Sequence, residues 1–310
     1  MRFRRLLQST TMFSGVVGWA FLAVTSAWAD DLITKTSSPA ATPAPAVDAI
    51  NTKVDGFGGS LGNLGIYGGN GSITVPLQGP FGAQLDGTVG NLGGDGFAVV
   101  SGHWFWRDPA AGLLGLYGSE AYWDRFGGVN AAHVAAEGER YWGPLTLQGI
   151  AGVEFGNSGS TTVATVGPVL TTTFTTGVSV PTRFFDEINL KYYFTDNISG
   201  YVGQRYLGGQ GAVALGGEFA QPLGHGILAS AFVEGRVGEN NFHGIWGGLK
   251  FYFGPTDKPL IARHRQEDPN NWDVDNLFGL VNNQTASGSS FCTLGRASGG
   301  GCETPFVGDG

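Results

Sequence analysis

The chain has 310 residues, of which 54 are glycine, 42% are hydrophobic and 14% are charged, and its net charge is −8. Aromatic residues make up 12% of it, which excludes a disordered or collagen-like chain even though glycine is abundant. The acidic balance also disfavours a nucleic-acid-binding protein, because phosphates require a basic face.

Residues 1–29 predict a secretory signal peptide. Arg2, Arg4 and Arg5 precede the mostly apolar stretch from Met12 to Ala23, and Ala27-Trp28-Ala29 fits the small-x-small cleavage rule. Cleavage there leaves a mature charge of (17 − 3) − 25 = −11. Residues 30–50 are rich in Ala, Pro, Thr and Ser, which predicts a disordered, flexible linker.

Apolar and polar residues alternate from about residue 51 to residue 253. Leu145, Leu147 and Val153, for example, share one strand face, while Thr146 and Gln148 share the other. A period of two predicts strands with one apolar and one polar face. We predict twelve of them: 51–61, 70–78, 81–92, 96–107, 112–121, 128–140, 144–155, 182–194, 197–207, 211–220, 226–236 and 242–253. Most have the length of a tilted strand that crosses a membrane.

Residues 157–181 interrupt this pattern. They form an uncharged run with eight threonines. The run is predicted as a long loop, and the alternative is an extra hairpin that would give fourteen strands. An all-β, antiparallel transmembrane barrel of about twelve strands follows in the first case, since a sheet in lipid must close to leave no unpaired edge.

The chain resembles the outer-membrane β-barrel proteins of Gram-negative bacteria, a porin-like superfamily, across residues 51–253. The signal peptide, the even strand count, the apolar-out alternation and the aromatic end of the last strand, Gly247 to Phe253, carry this resemblance. It implies a location in the cell outer membrane, with membrane lipid and the barrel-assembly machinery as partners. Because 57 residues follow Phe253 (310 − 253), the assembly signal is expected to be internal.

The alternation assigns polar side chains to the barrel interior and aromatic side chains to the membrane interface. The predicted lumen-lining residues are Gln84, Asp86, Thr88, Ser101, His103, Glu137, Thr146, Gln148, Glu154, Glu187, Asn189, Lys191, Arg205, Glu218, Glu234 and Arg236. The predicted aromatic girdle consists of Trp104, Trp106, Tyr141, Trp142, Tyr192, Phe194, Phe251 and Phe253.

No motif predicts an enzyme, a cofactor or a metal site. The chain has no Gly-x-Ser-x-Gly element, and Trp104 follows His103 where outer-membrane phospholipases continue with a serine motif. Cys292 and Cys302 are candidates for a small disulfide loop, and two unpaired thiols are the alternative. Residues 254–310 are predicted to be a periplasmic tail. The basic triplet and the acids between Asp257 and Pro269 fit a solvated stretch, and the alternatives are a short interaction motif or a helix docked under the barrel. Leu260 and Ile261 are the part that simple solvation does not explain.

Two functions fit these observations. The first is a narrow passive channel for small hydrophilic solutes. It would prefer cations mildly, because six predicted lumen carboxylates face three fixed cations. The second is a structural or anchoring barrel whose tail binds a periplasmic partner or the cell wall. An open or a filled lumen distinguishes the two.

Overall fold

Twelve antiparallel strands form a closed barrel in the computed structural model, which describes residues 44–166, 170–292, 297–298 and 301–302. The wall strands are β1 (Asn51–Leu61), β2 (Leu64–Pro76), β3 (Phe81–Leu92), β4 (Asp95–Asp108), β5 (Gly112–Trp123), β6 (Val129–Trp142), β7 (Leu145–Asn157), β10 (Arg183–Thr195), β11 (Ile198–Leu207), β12 (Gln210–Gly224), β13 (Ile227–Gly238) and β14 (His243–Phe253). Each pairs with its neighbour in sequence, except that β7 pairs with β10, and β14 pairs with β1 to close the wall. The predicted all-β barrel of twelve strands is confirmed.

The alternation places apolar side chains outside. Large exposed hydrophobic residues occur on every wall strand, and they include Leu85, Val89, Leu114, Leu116, Val153, Leu190, Leu215 and Leu249. An outer face of this kind needs lipid around it, because water would leave a wide belt of apolar surface exposed.

The two ends of the barrel differ. At the near mouth, where β1 begins and β14 ends, the wall strands are joined by short connections such as 109–111, 143–144, 196–197 and 225–226. At the far mouth β7 and β10 are separated by a hairpin of β8 (Gly159–Val166) and β9 (Leu170–Val178). The alternative of an extra hairpin is therefore right for 157–181, but the hairpin does not enter the wall. It pairs instead with β15 (Gln284–Cys292), and we call β8, β9 and β15 the exit sheet.

The C-terminal segment differs most from its prediction. Instead of forming a tail outside the barrel, it folds into α1 (Leu260–Gln266) and α2 (Asp273–Asn282), most of whose residues are buried. No helix in the described ranges is both long and apolar enough to cross a membrane. The short hairpin of β16 (Ala297–Ser298) and β17 (Gly301–Cys302) follows β15.

The predicted linker is also partly ordered. Ala46 and Val47 are buried against Phe105 and Leu113 near the start of β1, because these small apolar side chains cover an apolar patch of β4 and β5. The signal peptide and the rest of the linker, up to residue 43, lie outside the described residues.

Candidate functional site

The C-terminal segment passes through the barrel from one mouth to the other. At the near mouth, the backbone nitrogen of Ile261 donates to the carbonyl of Asp196, in the connection between β10 and β11. At the far mouth, Asn283 lies against Gly208, in the connection between β11 and β12. Residues 260–283, the lumen segment, therefore occupy the interior, and β15 continues from them beyond the far mouth.

A buried charge cluster attaches α2 to the wall at its first turn. Asp275 Oδ1 lies 2.9 Å from Arg236 Nη2 and 3.1 Å from Arg205 Nε. Arg205 Nε also lies 2.8 Å from Glu187 Oε2, and Arg236 Nη2 lies 3.1 Å from Glu234 Oε2. Because an unpaired buried charge is costly, these wall residues and Asp275 depend on one another.

Asp273 makes a second attachment on the opposite side of the barrel. Its carboxylate accepts hydrogen bonds from Ser101 Oγ at 2.6 Å and from Thr88 Oγ1 at 2.7 Å. Both carboxylates lie in the first turn of α2, where the positive end of the helix dipole favours them. Further along the helix, Asn276 Nδ2 donates to the Tyr117 hydroxyl at 2.8 Å.

Apolar packing fills the far half of the lumen. Leu277, Phe278 and Leu280 of α2 are almost completely buried, and the Phe278 ring lies 4.5 Å from that of Phe242. The wall side of this core includes Leu61, Ile66, Leu92, Phe97, Trp123, Val129, Phe185 and Leu207. A water-filled pore does not continue through such a closely packed apolar cluster, so α2 closes this half of the barrel.

Close backbone approach locates α2 against the far mouth. Gly208 has a φ of +64°, and a Cβ built on it would lie 2.8 Å from the Cα of Gly279. Glycine is favoured at position 208 for two reasons, because it adopts positive φ without strain and because its missing side chain leaves room for the helix.

Basic side chains of α1 attach the lumen segment to the near mouth. Arg263 Nη1 lies 2.6 Å from Glu267 Oε2, and its Nη2 donates to the Gly226 carbonyl at 2.7 Å. Arg265 donates to the carbonyls of Gly143 and Leu145 at 2.8 Å and 2.9 Å. These contacts join two connections of the wall to the helix, which explains the basic stretch of the sequence.

The predicted lumen residues all have buried or half-buried side chains inside the wall. Three of them form one cluster, in which His103 lies 3.2 Å from Asp86 and 2.9 Å from Glu137. Glu154 lies in a second cluster, 3.1 Å from His133 and 2.9 Å from Arg183. Glu218 lies 3.8 Å from Lys250, so most of the predicted charges face an opposite charge.

A polar cavity of about 70 Å³ remains beside the lumen segment. Four cationic side chains line it (Lys53, Lys191, Arg205 and Lys250), and so do four carboxylates (Glu218, Glu234, Asp268 and Asp275). Lys53 Nζ contacts Asp268 at 2.7 Å, which connects β1 to the stretch between α1 and α2. The near half of the lumen is therefore mostly polar, while the far half is mostly apolar.

The predicted girdle residues lie on the outer surface near the near mouth, with one exception. Trp104, Trp106, Trp142, Tyr192, Phe194 and Phe253 are exposed, and Phe251 is half-buried. Tyr141, in contrast, points inward, and Arg265 lies 5.0 Å from the centre of its ring. Its inward position follows from strand alternation, since Trp142 next to it faces out.

The residues that the sequence reasoning missed are those of the lumen segment, above all Asp273, Asp275 and Phe278. The available signal was the apolar run Leu277, Phe278, Leu280 and Val281 in a segment predicted to be solvated. The side chains of Cys292 and Cys302 lie outside the described residues, so their disulfide stays a prediction. The predicted absence of enzymatic activity, cofactor and metal also stays a prediction.

No protein-family description matches the chain, and neither does any curated protein. Among solved structures, the chain is similar to the beta domain of the Bordetella autotransporter Brka (TM-score 0.37, 14% identity, 66% of this chain and 99% of that one). It is also similar to the translocator domain of autotransporter NalP from Neisseria meningitidis (0.41, 10%, 67% and 90%). A third similar structure is Omp33 of Acinetobacter baumannii (0.34, 12%, 66% and 98%).

The closed twelve-strand wall confirms the predicted fold, that of an outer-membrane β-barrel. The closed antiparallel wall with an apolar outer face is the architecture of an outer-membrane protein, and the predicted location in the outer membrane is confirmed with it.

Proposed function

We propose that the protein is an outer-membrane anchor that holds its own C-terminal segment across the membrane. The observation that carries this proposal is the path of residues 260–283 through the lumen, with α1 attached at the near mouth and β15 beyond the far mouth. Bacterial barrels have short turns on the periplasmic side and longer connections outside the cell. The longest connection between wall strands, residues 158–182, is at the far mouth. The near mouth is then periplasmic, and β15 lies outside the cell.

Both kinds of contact along the lumen segment support a permanent rather than a passing occupant. The carboxylates of Asp273 and Asp275 bind buried polar side chains of the wall, and four apolar side chains of α2 are removed from water. At roughly 1.5–3 kcal/mol for each such side chain, apolar burial favours the seated helix by roughly 6–12 kcal/mol. A barrel filled in this way serves better as an anchor than as an open pore.

The side of the membrane on which β15 lies provides the test. In a background of Cys292→Ser and Cys302→Ser, we expect Ser287→Cys to react with a membrane-impermeant maleimide on intact cells. The matched control is Thr256→Cys, an exposed residue of the near mouth that should react only after permeabilisation. Labelling of Ser287→Cys that also requires permeabilisation would contradict the proposal.

A second candidate is the narrow passive channel for small hydrophilic solutes, and the polar cavity beside the lumen segment favours it. The wall alone predicts mild cation preference, but the cavity has as many cationic side chains as carboxylates, so any preference should be weak. The reversal potential in a salt gradient across a planar bilayer measures it. Steady conductance by the full chain would favour the channel, and its absence would favour the anchor.

The partners remain proposals as well. Lipid around the apolar wall and the barrel-assembly machinery fit either function. A periplasmic partner or cell-wall contact through the tail fits less well, because α1 is attached to the near mouth and the following residues lie in the lumen. The first part of the tail, 254–259, is the stretch left for such a contact.

A further inference from the structure

The exit sheet joins two parts of the chain that are far apart in sequence. β9 pairs with β8 along one edge and with β15 along the other. The second pairing is antiparallel and spans nine residue pairs, from Val178 and Gln284 to Leu170 and Cys292. Side chains add to it, since the hydroxyls of Thr173 and Ser289 lie 2.7 Å apart. The hairpin therefore receives β15 just after it leaves the lumen.

The two pairing segments have the same unusual composition. Residues 156–182 contain no charged side chain, and neither do residues 283–295. Threonine and serine dominate both, and these side chains are small and form cross-strand hydrogen bonds. A segment without charges can also pass a lumen whose wall carries buried ions at less desolvation cost than a charged one. The uncharged composition therefore allows β15 to pass through the lumen, and the hydroxyl-rich composition of the hairpin allows it to hold β15 afterwards.

We propose that the hairpin of β8 and β9 is a peptide-binding site, which captures the uncharged, hydroxyl-rich strand that emerges from the lumen. This inference rests on the proposed function. Strand addition to a sheet edge gains its affinity from main-chain hydrogen bonds, and its specificity comes from the side chains. The bound strand keeps the lumen segment from sliding back, because nine paired residues must separate first.

The occupant of this edge is the chain's own β15. In the described parts of the chain, β15 is the strand that pairs with this edge of β9, and it follows α2 after a single residue, Asn283. Because α2 is held in the lumen, so short a connection keeps β15 at the far mouth, next to β9 of the same chain. This proximity favours pairing within one chain over pairing between chains. A second copy of the chain is the alternative occupant.

A register-directed cross-link distinguishes these occupants in an otherwise intact chain. With Cys292→Ser and Cys302→Ser as background, Thr173→Cys with Ser289→Cys should form a disulfide within one chain. Thr173→Cys with Thr285→Cys is the control, because Thr285 pairs four residues away with Gly177. A disulfide that links two chains into a dimer, or equal cross-linking of both pairs, would overturn the proposal.

Binding in trans tests the site itself. Full-length protein with Ala286→Pro and Ser289→Pro should leave the edge of β9 empty. Hydrogen bonding alternates along an antiparallel pair, so at least one of these positions donates to β9, and proline removes that donor. A fluorescent peptide of residues 284–291 should bind this variant at least about tenfold more tightly than it binds wild type, whose edge is occupied. The same peptide carrying both prolines is the control.

The outcomes separate this inference from the proposed function. If Thr285→Cys in the double-proline variant still reacts on intact cells but the peptide does not bind, the anchor stands and the capture site is wrong. If Ser287→Cys in the chain without the two prolines is protected on intact cells, the proposed function itself fails. Equal peptide binding to the variant and to wild type would also overturn the capture site.

Discussion

Removal of the Asp275 carboxylate should make the barrel open more often. In the variant Asp275→Ala, two buried guanidinium groups lose the acceptor that they share at 3.1 Å and 2.9 Å. Loss of one partner from a buried ion pair costs about 3–5 kcal/mol. Glu187 and Glu234 still face Arg205 and Arg236, so we expect the lower value for α2.

The expected effect on opening follows from this cost. A loss of about 3 kcal/mol changes an equilibrium roughly 100-fold, because about 1.4 kcal/mol corresponds to a factor of ten. Apolar packing still favours the seated helix, so the variant should remain mostly closed. Single-channel recording in a planar bilayer should therefore show brief openings about 100 times as frequent as in wild type.

An aspartate whose ion pair lies at the barrel surface provides the matched control. Asp95 lies 3.4 Å from Arg125, and both side chains are substantially exposed. Exposed pairs contribute little, so Asp95→Ala should leave the opening frequency unchanged. If Asp275→Ala behaved like wild type, or if Asp95→Ala opened the barrel equally often, Asp275 would not be what holds α2 against the wall.

Three further variants test other contacts. Phe278→Ala removes a buried ring and should weaken the binding of α2 in the lumen by about 3–5 kcal/mol, so the opening frequency should rise. An unchanged opening frequency would mean that the apolar core does not retain the helix. Gly208→Val adds a side chain at positive φ within 2.8 Å of Gly279, so the displaced helix α2 should become sensitive to chymotrypsin, which cuts after residues such as Trp272 and Phe278. Full protection would disprove the close approach. Phe253→Asp should lower the assembled fraction, seen as lost heat-modifiable mobility on gels, whereas Phe253→Tyr should assemble; equal assembly of both would show that the interface does not need an apolar side chain there.

The wall of this barrel was predictable because strand alternation depends on local sequence. Leu147 and Thr146 lie on opposite faces whatever the rest of the chain does, and closure follows from the need to pair every edge in lipid. The hairpin at 157–181 was less certain, because its threonines are compatible with either a loop or a strand.

The lumen segment was not predictable in the same way, because its burial depends on partners distant in sequence. From the sequence alone, Asp275 is expected to be a solvated helix residue, and only the fold shows that Arg205 and Arg236 contact it. Phe97 and Trp123 face inward on β4 and β5, where a water-filled polar lumen would leave these large apolar side chains exposed to water. Apolar inward positions at one end of several strands are thus the sequence feature that would have indicated a buried helix.

The order of the elements along the chain constrains how this protein is built. All twelve wall strands precede α1, and six residues, 254–259, separate the end of β14 from the start of the lumen segment. The barrel strands are thus synthesised before the helix that fills them. The wall must either close around the segment or admit it afterwards through the near mouth, with residues 284–292 at its head. In the second case residues 284–292 travel the whole length of the lumen, and in both cases the barrel can be filled only after the wall strands and the lumen segment have both been synthesised.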